Sequence, residues 1–252
     1  MFSKYTIDFE NSFNELSESC QFEDITKGRK GAILVDYKND LIPIVRTTTC
    51  YNNPNQRFLP IHYKLIDKIK EVTNVTNHKL EFNNAMIELY DSTYRTMGFH
   101  TDQALDLDTD SYICVFSCYN ASGDSGDNSS LDIRKLKIKN KITDESSEIL
   151  LEHNSIVLFP VSENSKHVHK IVLEKVKSKD KKWLGITFRL SKTFIKFVNN
   201  VPHFHPSNIV LRLAEEEKKE FRKYKSLENA NIDYIYPNID YTISLSDILP
   251  IK

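Results

Sequence analysis

Six short apolar segments between Glu81 and Leu190 are the feature that most limits the fold of this chain. Polar, turn-forming residues separate them, and the alternation of apolar and polar side chains within them is typical of half-buried strands. Many short strands at modest intervals favour a sandwich or a barrel. In chain order the segments are EFNNAMIELY, SYICVFSCYN, LDIRKLKIKN, NSIVLFPV, HVHKIVLEKV and WLGITFRL. The sequence therefore predicts a mainly β fold with flanking helices.

The regions on either side of these segments are less regular. Residues 1–30 are polar, and we expect ordered structure to begin at Gly31. Apolar runs at 32–35 and 41–45 flank a turn-like Lys-Asn-Asp, which suggests a hairpin. In LPIHYKLIDKIKEV the apolar residues recur along one helix face after Pro60, which predicts a helix. A last, charge-dense helix is predicted over Val210–Lys225, before an aromatic, turn-rich end.

Three regions follow from this pattern. Residues 1–30 form an N-terminal polar segment, and residues 31–198 form the β domain with an N-terminal lid and a support helix. Residues 199–252 supply a C-terminal helix and an aromatic tail that pack on the core. In this last region the prolines of VPHFHP argue against a regular strand.

Composition limits where such a protein works. With 252 residues, 40% of them hydrophobic, the chain is long enough to bury a full core in one domain. No stretch approaches the roughly 20 apolar residues that span a bilayer, and the N-terminus has no leader-like apolar segment. Four cysteines are too few for a disulfide framework, and Cys114 and Cys118 are expected to be buried in a strand. We expect an intracellular monomer, in cytoplasm or nucleus, without a membrane partner.

The segment GFHTDQ contains two candidate metal ligands where a strand is predicted to end. His100 and Asp102 are two residues apart, so an extended backbone aims both side chains at one ion. A third ligand is needed, and His167 and His169 head the predicted strand HVHKIVLEKV. Because these two histidines share parity, spacing does not choose between them. We favour His169 and keep His167 as the alternative.

Two imidazoles and one carboxylate on one side of an iron ion leave open positions, which is typical of non-haem Fe(II) oxygenases. Such an iron needs a cosubstrate, and an oxo-diacid requires a buried cation at its far end. Arg189 lies in the apolar segment GITFRLS, with Ser191 on the same face. A buried guanidinium requires an anionic partner, and its planar fork fits a carboxylate.

Three segments together, NNAMIELYDSTYRTMGFHTDQ, HVHKIVL and WLGITFRLS, resemble the AlkB-like branch of the Fe(II)/2-oxoglutarate-dependent dioxygenases. The resemblance covers Ile44–Leu190. It implies a double-stranded β-helix, or jelly roll. It also implies Fe(II), 2-oxoglutarate and dioxygen as cofactors and co-reactants. The implied metal ligands are His100, Asp102 and His169, and the implied cosubstrate-binding residues are Arg189, Tyr90, Ser191 and Thr187. The full set of matching residues is Asn84, Tyr90, Gly98, Phe99, His100, Asp102, His169, Thr187, Phe188 and Arg189.

The chain departs from the family pattern at two places beside the cosubstrate. AlkB-like enzymes usually carry a second arginine six residues before the last one, and this chain has Trp183 there. The asparagine that usually stands two residues before the tyrosine is Glu88. The segment PIVRTTTCY also resembles a family segment near the substrate lid, which makes Arg46 and Tyr51 lid candidates as well as plain structural residues.

The resemblance implies oxidative removal of N-methyl groups from nucleobases, with succinate and formaldehyde as products. A nucleic-acid partner is also one explanation for lysines that share a strand face, although such lysines equally protect edge strands from association. The alternative is a hydroxylase of a protein side chain or a small molecule, and a catalytically inactive binding module is disfavoured by the complete ligand set. The lysines concerned are Lys135, Lys137, Lys139, Lys175, Lys177 and Lys179.

Overall fold

The computed structural model describes residues 1–10, 12–75, 80–120, 132–176 and 178–252. Over these residues the protein is mainly β, with antiparallel sheets and few helices, as the sequence predicts. The helices are α1 Ser12–Glu18, α2 Pro60–Thr73, α3 Val161–Lys166 and α4 Lys218–Ala230, with a short 3-10 helix at Leu245–Ile248. The strands are β1 Ser3–Thr6, β2 Glu23–Thr26, β3 Arg29–Val35, β4 Ile42–Pro43, β5 Gln56–Arg57, β6 Asn84–Tyr90, β7 Tyr112–Tyr119, β8 Arg134–Asn140, β9 Ser146–Leu151, β10 Ser155–Pro160, β11 His167–Val172, β12 Trp183–Arg189, β13 Phe194–Val198, β14 Val201–His205, β15 Arg212–Leu213 and β16 Tyr241–Thr242.

A large sheet forms the centre of the molecule. Its strand order is β1-β10-β7-β12-β6-β3-β2, and β5 pairs with β3. The sequence of strand β7 is nearly continuously apolar because both faces of this strand are covered. Cys114 and Phe116 point to one buried cluster, whereas Ile113 and Val115 point to another. The prediction that Cys114 and Cys118 are buried strand residues is confirmed.

Helices α1 and α2 cover one face of the large sheet. Leu65, Ile66 and Ile69 are buried at the spacing of one helix face, and they pack against the sheet together with Leu16 of α1. Helix α2 begins at Pro60, as predicted, because proline has no N–H to lose at the first helical position.

A smaller sheet of strand order β11-β8-β9 packs on the other face of the large sheet. Alternate side chains of β8, Leu136 and Ile138, are buried in this interface with Ile171 of β11. The two sheets therefore sandwich one core, and the cavity described below opens between them.

Several local predictions outside the strand region are wrong. Ordered structure begins well before Gly31, because β1 lies at one edge of the large sheet and β2 at the other. The runs at 32–35 and 41–45 do not form a hairpin: β3 pairs with β2, β5 and β6, whereas β4 pairs with β13. Both runs pair with strands that are distant in the sequence. Local turn chemistry does not reveal such partners.

The C-terminal region also differs from expectation. VPHFHP contains strand β14, and Pro202 is tolerated because β14 is an edge strand that pairs with β13 alone among the described strands. Helix α4 begins at Lys218 rather than Val210, and β15 takes part of the predicted helix by pairing in parallel with β16. In the described part of the chain, none of the helices has the length and apolar character needed to cross a membrane.

Candidate metal centre

A backbone bridge brings the two histidines together. His100 N donates to His169 O at 3.0 Å, and His169 N donates to His100 O at 2.7 Å. This antiparallel pairing sets the two residues opposite each other, and their ring centroids are 4.8 Å apart. Because His169 also pairs with Ile138 of β8, the small sheet fixes its position in the sandwich.

Asp102 completes the group. His169 Nε2 lies 3.4 Å from Asp102 Oδ1. One potential ligand atom from each of His100, Asp102 and His169 lies within 4.8 Å of the others, so these three residues could bind a metal ion. Asp102 and His169 are buried, and His100 is half-buried at the cavity. Of the two histidines between which the sequence did not choose, His169 belongs to this group and His167 lies outside it.

The ring nitrogens of both histidines suit metal binding. His100 Nδ1 lies 3.0 Å from Gly98 O, so a neutral ring with its proton on Nδ1 donates to that carbonyl and leaves Nε2 as a free ligand atom. His169 Nδ1 is buried and has no hydrogen-bond partner among the described residues. Its other ring nitrogen, Nε2, lies 3.4 Å from Asp102 Oδ1, so Nε2 is the His169 atom placed to share a metal ion with Asp102.

The electrostatic environment sets the protonation state of His100 and of Asp102. Burial lowers the pKa of His100 to about 3, and His169 nearby lowers it further, so the imidazole is neutral near pH 7. Burial alone would raise the pKa of Asp102, but the Arg189 guanidinium and His169 overcome this effect and hold that pKa well below its usual range. Arg189 Nε donates to Asp102 Oδ2 at 2.8 Å. The result is a neutral His100 imidazole beside an ionised Asp102 carboxylate.

Helix α4 holds Thr101, the residue between His100 and Asp102, in place. Lys225 Nζ donates to Thr101 O at 2.6 Å and to Thr101 Oγ1 at 2.7 Å, and Glu228 Oε2 accepts from the same ammonium at 2.6 Å. Asn229 Oδ1 accepts from Thr101 N at 2.9 Å. These bonds fix the peptide that carries His100 and Asp102. Sequence reasoning missed them, since α4 reads as a solvated, charge-dense helix.

A buried asparagine fixes the backbone of Asp102 from the opposite side. Asn164 of α3 accepts from Asp102 N through Oδ1 and donates to Asp102 O through Nδ2, both at 2.8 Å. This reciprocal pair satisfies both backbone groups of Asp102 and leaves its carboxylate to Arg189 and His169. Nothing in the local sequence of α3 indicates this role.

A cavity of about 320 Å³ opens between the sheets beside these ligands. His100, Asp102, His169, Arg189 and Thr187 all line it. Apolar walls come from both sheets, for example Val115 and Leu136. Of the sequence-predicted cosubstrate contacts, the structure brings Arg189 and Thr187 to the cavity. It does not bring Tyr90 or Ser191 there.

Tyr90 and Ser191 have internal partners instead. Tyr90 is fully buried, and its hydroxyl donates to Glu88 Oε2 at 2.7 Å. Ser191 Oγ donates to Ile44 O at 2.6 Å and helps to hold the chain after β12. Glu88, in contrast, lines the cavity and forms an ion pair with Arg29.

The remaining candidates fall outside the metal group. His167 Nδ1 lies 2.9 Å from Glu163 O at the end of α3. Arg46 is buried, bonds Asp106 through two side-chain nitrogens and donates to the carbonyls of Ile239 and Tyr241, so it ties the C-terminal tail to the core.

The prediction that lysines share a strand face is wrong for Lys175 and Lys179. Lys135, Lys137 and Lys139 do share one face of β8, but β11 ends at Val172. Lys175 and Lys179 therefore lie beyond a strand, and Lys177 lies outside the described residues. The β8 lysines form ion pairs within the chain, with Glu148, Glu174 and Asp144.

Comparison of the chain with models of known protein families gives no match. Comparison with curated protein sequences gives none either.

Proposed function

We propose that the protein is an Fe(II)- and 2-oxoglutarate-dependent dioxygenase whose two-sheet core is a double-stranded β-helix. One observation carries the proposal: two imidazoles and one carboxylate converge from His100, Asp102 and His169 in a cavity that also holds Arg189. This donor set is the one that non-haem Fe(II) oxygenases use, because it occupies one side of the ion and leaves adjacent positions for cosubstrate and dioxygen.

The residues fit this group chemically. His169 Nε2, which lies 3.4 Å from Asp102 Oδ1, and the free Nε2 of His100 are ring nitrogens placed to bind a divalent metal. When bound, iron and 2-oxoglutarate supply dioxygen activation and oxidation of a C–H bond, with succinate and carbon dioxide released. Arg189 keeps the Asp102 carboxylate ionised and oriented. The apolar walls around Val115 and Leu136 exclude water from the reacting centre.

For the substrate we propose an N-methylated nucleobase in single-stranded nucleic acid, in line with the AlkB-like sequence resemblance. Hydroxylation of such a methyl group gives a hemiaminal that expels formaldehyde. Phe99 supports this substrate, because it lines the cavity and is 39% exposed at its mouth. Exposed aromatic rings stack on unpaired bases, and Lys170 Nζ lies 4.4 Å from the centre of this ring, where it would supply a positive charge to the phosphate backbone of a bound strand.

A second candidate, a hydroxylase of a protein side chain or small molecule, is favoured by the β8 lysines. Glu148, Glu174 and Asp144 neutralise these lysines internally, so the ladder offers little charge to a polyanion. Binding of a fluorescent single-stranded oligonucleotide at several salt concentrations separates the candidates. The nucleic-acid substrate predicts log Kd rising steeply with log salt, and a slope near zero eliminates it.

Succinate formation tests the enzyme class. Purified protein is incubated with 2-oxoglutarate and dioxygen, with and without Fe(II), and succinate is measured. We expect Fe(II)-dependent succinate that is lost in His169→Ala and retained in the matched control His167→Ala. A wild-type protein that binds Fe(II) yet forms no succinate, with or without N-methylated oligonucleotide, contradicts the proposed class and leaves a metal-binding module.

A further inference from the structure

Three cationic side chains line the cavity in the described part of the chain, and two of them already serve the metal-binding segment. Arg189 bonds Asp102, and Lys225 bonds Thr101 and Glu228. The third, Arg29, stands at the start of β3 and pairs with Glu88 rather than with any of the three metal-binding residues. It is therefore the cavity cation whose purpose the metal centre does not explain.

Arg29 is paired in a way that leaves part of its guanidinium unused. Its Nε donates to Glu88 Oε1 at 2.6 Å, and its Nη2 lies 2.5 Å from the same oxygen. The second carboxylate oxygen accepts from Tyr90. A guanidinium and a carboxylate normally share two parallel bonds, so two nitrogens converging on one oxygen is an incomplete pairing. The structure gives Arg29 Nη1 no hydrogen-bond partner among the described residues.

An unpaired hydroxyl lies behind the cavity wall, next to the strand pair that carries Arg29 and Glu88. Tyr51 is 2% exposed, and its Oη has no hydrogen-bond partner among the described residues. A Cβ atom placed on Gly31 would lie 2.9 Å from this oxygen, and Gly31 pairs directly with Glu88 between β3 and β6. A buried hydroxyl without a partner is costly, which indicates that a ligand completes it.

Electrostatics place both arginines near this hydroxyl. Burial raises the pKa of Tyr51 strongly, Glu88 raises it further, and Arg29 and Arg189 both act to lower it. The Tyr51 hydroxyl therefore lies within the electrostatic influence of Arg189 and of the Arg29–Glu88 pair. Trp183 on β12 is uncharged and adds no cation here. Its ring covers Gly185, and its indole N–H donates to Ser117.

The charges of the cavity match a divalent metal together with a dianion. Arg29, Arg189 and Lys225 are offset one for one by Glu88, Asp102 and Glu228. A bound divalent cation therefore adds two uncompensated positive charges, and a doubly charged oxo-acid removes them. Burying unpaired charge is expensive, so this balance favours a dianionic cosubstrate over a monoanionic one.

We propose that Arg29, with the Tyr51 hydroxyl, binds the distal carboxylate of the oxo-diacid, and that Glu88 competes with that carboxylate for Arg29. This inference rests on the proposed function, since it concerns the same cosubstrate. The Arg29–Glu88 pair holds the guanidinium in place before the cosubstrate arrives. Binding then requires the distal carboxylate to share Arg29 with Glu88, which lowers the affinity for the oxo-diacid.

Calorimetric titration of the Mn(II)-loaded full-length protein tests this inference without turnover. The probes are N-oxalylglycine, a dianionic analogue of 2-oxoglutarate, and N-methyloxamate, which lacks the distal carboxylate. For Glu88→Gln we expect N-oxalylglycine to bind about tenfold tighter, because a nearby unit anion is removed. N-Methyloxamate should bind as it does to wild type. For Arg29→Met/Glu88→Gln we expect N-oxalylglycine to bind about tenfold or more weakly than to Glu88→Gln.

Arg29→Lys keeps the charge and the ion pair but loses the planar fork, so it provides a conservative variant that preserves folding. We expect it to weaken N-oxalylglycine binding and to leave N-methyloxamate binding unchanged. If Glu88→Gln and Arg29→Lys both bind the dianion as wild type does, the inference is overturned while the proposed function stands. If wild type binds Mn(II) but neither probe, the proposed function fails and the inference fails with it.

Discussion

Replacing Arg189 by methionine removes the counter-charge of a buried carboxylate. Arg189 and Asp102 are both almost fully buried, and their Nε and Oδ2 atoms are 2.8 Å apart. Methionine retains much of the side-chain volume, so the apolar part of the packing is preserved. The Asp102 carboxylate then has to remain ionised without its main partner or take up a proton.

Both outcomes cost a similar amount. At an effective dielectric constant of 20, two unit charges 4 Å apart interact by about 4 kcal/mol, which is the attraction lost if Asp102 stays ionised. Protonating a carboxyl of ordinary pKa at pH 7 costs about 4 kcal/mol as well. We therefore expect Arg189→Met to lower the free energy of unfolding at pH 7 by about 4 kcal/mol. At pH 5 the loss falls to about 1.5 kcal/mol, because protonation is easier there.

Urea denaturation with and without saturating Mn(II) provides the assay. A metal ion at His100, Asp102 and His169 replaces the missing positive charge, so the destabilisation should shrink to less than about 2 kcal/mol when Mn(II) is present. Arg46→Met is the matched control, because Arg46 also neutralises a buried aspartate, Asp106, away from the metal group. Its destabilisation should not change with Mn(II).

The reasoning is refuted if Arg189→Met is equally unstable with and without Mn(II). That result means that the metal does not sit against Asp102. A loss below about 1 kcal/mol at pH 7 also contradicts it, since such a value belongs to a solvent-exposed ion pair.

Three further predictions concern residues around the site and the core. Asn164→Ala should weaken Mn(II) binding about tenfold or more in calorimetry, because it frees the backbone of Asp102, whereas Ser165→Ala on the same helix should not. Burial lowers the pKa of His62 to about 4, so this histidine alone should contribute about 2 kcal/mol to the fall in wild-type stability from pH 7 to pH 5, as the unfolded state takes up the proton. His62→Gln should remove that contribution from urea-denaturation curves measured at both pH values. Tyr51→Phe should raise the melting temperature of the ligand-free protein, and N-oxalylglycine should then stabilise the Mn(II) form less than it stabilises wild type.

The grouping of His100, Asp102 and His169 could be predicted from the sequence because metal binding restricts the spacing of ligands along the chain. Two ligands for one ion, His100 and Asp102, need a spacing of two on an extended chain, and a third ligand has to head a neighbouring strand. The choice of His169 over His167 needed the pairing partner. Only the bridge to His100 shows which of the two histidines of equal parity joins the group that could bind a metal ion.

The residues that hold the site in place were beyond prediction because they act across long stretches of chain. Lys225 lies 124 residues from Thr101, and Asn164 lies 62 residues from Asp102. Each belongs to a helix whose local sequence resembles an ordinary surface helix. Arg29 was overlooked because the first thirty residues read as irregular, although their strands form both edges of the large sheet.

The strands were predicted better than their partners. Period-two patterns correctly indicate which side chains of β8 share a face, but they do not reveal what those side chains meet. The lysines of β8 suggested a polyanion, and the structure pairs them with acidic residues of the same chain. Apolar runs around β3 and β4 suggested a hairpin for the same reason, because local pattern carries no information on distant pairing.

The most direct test of the central claim is a crystal structure obtained anaerobically with Mn(II) and N-oxalylglycine. The account predicts one Mn(II) ion bound by His100, Asp102 and His169, with the oxalyl end of the analogue on the metal. An ion bound elsewhere, or the two imidazoles turned away from an ion held by other residues, contradicts it.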